Sequence, residues 1–155
     1  MGNILVELHA IIGILSAFAF LLVFVELLNP TEKMIRRIKL FALSGTALIF
    51  ISWIIGGYYY VTYYGPLVKP AIKGSIPWVH SVIMETKEHI FLFLPLLAIL
   101  VTGMIFTLDI DLLNNHKAKS SVLMLCVLII LIGLAIAGMG YLVSAGAFAS
   151  GGLIE

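Results

Sequence analysis

Two histidines stand where apolar runs begin. His9 precedes Ala10-Ile11-Ile12, and His89 precedes Ile90-Phe91-Leu92. Imidazole binds iron through a neutral ring nitrogen, and an ionisable side chain in an apolar span is by default a functional candidate. At matching depth on two helices, His9 and His89 suit the two axial positions of a haem b. Gly56 and Gly57 on one neighbouring segment and Gly138 on another come to the same level. Glycines there leave room for a planar group or let helices approach closely. The chain has no C-x-x-C-H, so such a haem is non-covalent, and the pair provides for one.

His80 is the competing ligand. Nine helical steps separate it from His89, which puts the two on opposite faces, so only one can face His9. His80 lies about 13 Å further along the helix. It shares a face with Trp78 and Lys87, which suits a headgroup-level position or contact with a haem propionate. Glu85 and His89 sit one turn apart, with Glu88 alongside and Glu7 near His9 in sequence. These carboxylates suggest three roles: a carboxylate–imidazole site for Zn, Fe or Mn, support for the histidine tautomers, or proton relay to a quinone. A solvated helix start explains the same charges without any ligand. Tyr58 to Tyr64 could line a quinone pocket, but they equally suit an aromatic belt.

The elements that must position these groups follow from composition. Hydrophobic residues make up 62% of the 155 residues and charged ones 11%, against roughly 45–50% and roughly 25% in soluble domains. Mean hydropathy is +1.17. This excludes a soluble enzyme and a disordered tail, and a net charge of +1 offers nothing to nucleic acid. The lone Cys126 excludes an intramolecular disulfide.

Apolar stretches of about 20 residues cross a bilayer as helices. Four occur, at about 4–28, 33–64, 78–108 and 121–147, which predicts one all-α, antiparallel four-helix transmembrane bundle over residues 1–155. Thr31 suits an N-cap, Gly65-Pro66 predicts a stop, and 65–77, with Pro66, Pro70 and Pro77, reads as a loop. Pro95 predicts a bend in the third span. Lys33, Arg36, Arg37 and Lys39 flank the first hairpin loop, and Lys117 and Lys119 the second. The positive-inside rule then places both loops in the cytoplasm and both termini outside, in the cell membrane. Glu26 is placed to pair with Arg36 or Arg37. The first span lacks the flanks of a cleaved signal and is expected to remain.

The hairpins echo each other. His9 corresponds to His89, and Ile54-Ile55-Gly56-Gly57-Tyr58-Tyr59 to Ile136-Ala137-Gly138-Met139-Gly140-Tyr141. With His9 opening one span and the Lys87/His89 segment opening another, the chain resembles the small four-helix haem-b membrane proteins, the copper-resistance-D-like and cytochrome-b-like families. The resemblance implies haem binding and redox chemistry at the membrane. The expected function is a haem-b electron-transfer subunit between the quinone pool and an external partner, a periplasmic or extracellular cytochrome, within a larger membrane assembly. The competing expectations are a cofactor-free accessory subunit and a metal site at Glu85, Glu88 and His89. Almost no charge lies at the midplane, which argues against a transporter.

Overall fold

The computed structural model describes residues 2–152, with side chains from Ile4 onward. Helix α1 (Gly2–Leu28) ends before Asn29-Pro30. Helix α2 (Glu32–Tyr59) starts behind Thr31, whose backbone is extended and whose carbonyl accepts from the Met34 amide at 2.9 Å. The Thr31 side chain makes no capping bond.

The expected stop at Gly65-Pro66 does not occur. The chain continues as a π-helical segment, Tyr60–Val68, and then as α3 (Lys69–Ser75), so one unbroken helical rod covers Glu32–Ser75. In an α-helix the Pro66 ring would collide with the carbonyl one turn back. The wider π turn relieves that contact and keeps the neighbouring amides bonded. Residues 65–77 are therefore mostly helical rather than a loop.

The third rod starts with a second π-helical segment, Val79–Met84, followed by α4 (Glu85–Phe91) and α5 (Phe93–Leu108). The break falls at Leu92, three residues before Pro95, whose ring has no N–H to close the preceding turn. Asp109 ends the rod with φ 48°, and its carboxylate is 2.7 Å from Lys39 Nζ. A short α6 (Asp111–Asn114) leads to α7 (His116–Ala149), which Asn115 caps by accepting from the Ala118 amide at 3.0 Å.

Each rod packs on the next, and α7 closes the ring on α1. Contacting pairs run in opposite order along neighbours. His9, Phe20 and Glu26 meet Ser52, Gly45 and Arg37 across α1 and α2. Trp53, Thr46 and Lys39 meet Phe91, Thr102 and Asp109 across α2 and the third rod. The bundle is thus up-down-up-down. All four rods are long and apolar enough to cross a membrane, the architecture of a multi-pass membrane protein. Of the two expected partners for Glu26, Arg37 takes the place, at 3.1 Å.

Phe20, Ile38, Ala98, Val101, Ile105 and Ile129 form the centre of the core. Thr46 Oγ1 and Thr102 Oγ1 are 2.8 Å apart inside it, and each also reaches a carbonyl of the other's rod, Ala98 and Ala42. Gly45 admits the Phe20 ring so closely that a Cβ would lie 2.9 Å from it. Gly45→Ala is expected to cost about 1–3 kcal/mol through overpacking. Thr46→Val, which loses an interhelical bond, should cost only about 0.6 kcal/mol. Unfolding in mixed detergent micelles measures both, and a Gly45→Ala protein as stable as wild type would disprove the close contact.

Candidate functional site

The two π-helical segments lie at the same end of the bundle, and the groups with possible chemistry collect beside them. His9 on α1 turns toward α2. Its Nδ1–H donates to the Ser52 carbonyl at 2.8 Å, while the Ser52 hydroxyl donates to the His9 carbonyl at 3.0 Å. The neutral ring then has a bare Nε2. Gly56 is the recess for this imidazole, since a Cβ there would lie 2.7 Å from Nδ1. The space read from sequence as room for a planar cofactor beside Gly56 is filled by the histidine ring. Gly57 and Gly138 border open space and touch nothing within 4 Å of a built Cβ.

Lys87 on α4 is mostly buried and extends toward α7, where a Cβ at Gly140 would lie 3.6 Å from its Nζ. Its charge also acts on His9. Among the described residues it forms no ion pair within 4.0 Å. The next residue, Glu88, faces the Tyr60 hydroxyl, and its Oε1 is buried without a hydrogen-bond partner.

His80 is fully buried, with 1% of its surface exposed. Its Nδ1 accepts from the Tyr64 hydroxyl at 2.9 Å, and its Nε2 lies 3.9 Å from Glu85 Oε1. Tyr64 is equally buried and stacks on Tyr60 with ring centroids 5.2 Å apart. His80 thus turns to the interior of the bundle beside Tyr64, whereas Trp78, expected on its face, is exposed. Tyr64 likewise leaves the expected aromatic belt for the interior. Tyr58, Trp78 and Tyr141 are exposed at that end, as a belt requires.

His89 is exposed, and its Nδ1–H donates to the Glu85 carbonyl at 2.6 Å. Two helical steps of about 100° separate it from Lys87. Lys87 holds the side that faces His9, so His89 points away. One haem bridging His9 and His89 of a single chain does not fit this packing. Nor do three His, Cys, Asp or Glu residues gather into a metal-binding group among the described residues. Glu85, Glu88 and His89 thus do not assemble as a ligand set among the described residues, and Glu7 is exposed.

The sequence offers Ser52 no role, and Tyr64 enters only within the Tyr58 to Tyr64 run. A hydroxyl in the run Phe50-Ile51-Ser52-Trp53 was the available signal for the first. Nothing local distinguishes Tyr64 from the tyrosines around it. Compared with known proteins, the chain matches no family model, no curated protein and no solved structure.

Tyr64→Phe removes the donor to His80 and leaves a buried ring nitrogen unsatisfied, at a cost of about 1–3 kcal/mol. Gly56→Ala should displace His9 from Ser52. The ring shifts of His9 and His80, followed by 15N NMR of labelled protein in micelles, should move in Gly56→Ala and Tyr64→Phe respectively. An unchanged His9 resonance in Gly56→Ala would contradict the recess.

Proposed function

We propose that the chain is a subunit of a redox assembly in the cytoplasmic membrane, carrying electrons between the quinone pool and an external cytochrome. Its termini face outward, and its polar end lies at the outer side of the bilayer. The charge distribution supports that orientation: Arg36, Arg37, Lys39, Lys117 and Lys119 all belong to the opposite end.

The observation that carries the redox reading is the setting of His89. Its Nδ1–H is held by a carbonyl and its side chain is exposed, so Nε2 is presented away from the bundle. Imidazole ligands are commonly held this way, with one ring nitrogen anchored and the other free for metal. His89 would hold a b-type haem at an interface of the assembly. When bound, such a haem supplies a one-electron couple. His9, locked to Ser52 and wedged at Gly56, orders the α1–α2 contact.

Absorption spectra of the assembly purified in mild detergent, oxidised and dithionite-reduced, test this directly. A reducible b-type spectrum should disappear in His89→Ala and persist in His9→Ala. Loss in both would favour the two-histidine haem read from the sequence. A wild-type assembly lacking haem, despite adequate supply, would leave a cofactor-free accessory subunit.

Orientation has its own test, on a Cys126→Ala background. A cysteine placed at Ser75 should react with a membrane-impermeant maleimide in intact cells, and one at Asn115 should not. The reverse pattern would invert the topology.

A further inference from the structure

The end of the bundle opposite the histidines gathers Arg36, Arg37 and Lys39 within one turn of α2, and the three are not equivalent. Arg37 turns to α1, where its Nη2 lies 3.1 Å from Glu26 Oε1. Lys39 turns the other way, to Asp109 at 2.7 Å, with its ammonium 5.4 Å from the centre of the Phe106 ring. Arg36 stands between them, exposed, and forms no ion pair among the described residues. The two carboxylates answer two of these cations, and the positive charge left over belongs to Arg36.

Deeper along the same face the surface changes to hydrocarbon. The three cations, Leu40, Leu43 and Phe106 line one open groove of about 480 Å³ where α2 meets α5. Leu40, Leu43 and Phe106 are all exposed. Arg36, Leu40 and Leu43 recur at helical spacing on one face, and Leu43 lies about 10 Å deeper along α2 than Arg36. Charge at the mouth with bare apolar side chains beneath it matches a phospholipid, whose headgroup stays at the interface while its acyl chains run inward. Guanidinium binds phosphate oxygens through parallel N–H bonds, and basic pockets between spanning helices take anionic headgroups. A zwitterionic lipid would bring a cation of its own to a patch already in surplus. A singly negative one cancels the surplus. Free phosphate would occupy the mouth and leave the apolar floor bare.

We propose that this groove binds one anionic phospholipid from the leaflet at the arginine end. Its phosphate lies on Arg36, between Arg37 and Lys39, and one acyl chain runs along Leu40, Leu43 and Phe106. Glu26 and Asp109 are positioning residues, holding the flanking cations on either side of the mouth. Because both α2 and α5 line the groove, a seated lipid ties these rods together at an end the Thr46–Thr102 contact does not reach. The site is remote from His9, His80 and His89 and stands independently of the redox reading.

The test is native mass spectrometry of the full chain in delipidated micelles, titrated with dioleoylphosphatidylglycerol and, separately, with dioleoylphosphatidylcholine. The two lipids share their acyl chains and differ in headgroup charge. Wild type should take up one phosphatidylglycerol per chain saturably, about tenfold more tightly than phosphatidylcholine. Arg36→Gln should weaken that binding about tenfold. Lys117→Gln, which removes the same charge from the same end but outside the groove, should match wild type. Inorganic phosphate at the concentration of the lipid should not displace it. Equal affinity for the two lipids would reduce the groove to ordinary hydrocarbon contact, and equal losses in the two variants would reduce it to diffuse attraction. Displacement by inorganic phosphate would make it a plain anion site. Any of these results, or an Arg36→Gln protein that binds like wild type, overturns the proposal. The comparison of lipids is made on wild type alone, so it decides even if a variant misfolds.

Discussion

The lack of water to take up backbone polar groups governs this structure more than any pairwise contact. In hydrocarbon an unbonded amide or carbonyl costs several kcal/mol, so a spanning chain must bond to itself nearly everywhere. The same constraint explains the least regular part of the fold. Residues 65–77 carry three prolines and two glycines, a composition that would form an open turn in a soluble protein. Here they continue as helix, with Pro66 taken into a π turn and Pro70 at the start of α3. Side chains obey the same rule: Ser16, Thr62, Ser75, Ser81 and Ser121 each donate to a carbonyl of their own rod.

Because apolar surface gains little by leaving lipid for another apolar surface, close approach and a few polar bonds must specify how the rods pair. The pairing of α1 with α2 shows this along its whole length. The Ser52–His9 exchange marks one end, the Phe20–Gly45 contact the middle, and the Glu26–Arg37 pair the other end. The Thr46–Thr102 contact does the same for α2 and α5. Each fixes the axial register of a smooth apolar interface that could otherwise slide.

The four spans and their alternating direction were legible because length and hydropathy report directly on the need to cross a bilayer. The Glu26–Arg37 pair and the break before Pro95 were legible for a similar reason: each is a local rule with one satisfactory solution. The interior of the polar end was not. Helical geometry correctly put Lys87 and His80 on one face and His89 on the other, but it could not say which face turns inward. Charge and aromatic content argued that Lys87 and His80 belong at the surface. Burial of His80 depends on Tyr64, sixteen residues earlier, and that meeting depends on two π-helical segments that follow no hydrophobic period. Tyr64 falls at the end of the expected 33–64 span, and the loop expected over 65–77 gave no reason to bring it against His80.

The two ends of the bundle handle charge in opposite ways, and the difference bears on function. At the arginine end, Glu26 meets Arg37 and Lys39 meets Asp109. Glu26 Oε2 is nevertheless buried without a hydrogen-bond partner. At the histidine end a lysine and a glutamate lie next to each other in the chain yet are directed to different neighbours, while a buried tyrosine–histidine pair leads toward an exposed carboxylate. Simple stability would favour replacing both Lys87 and Glu88 with apolar residues. π-Helical segments, which lose regular bonding geometry and often accompany functional sites, occur at this end and nowhere else among the described residues. The irregular backbone therefore coincides with the buried tyrosine–histidine pair and with Glu88 at one end of the bundle.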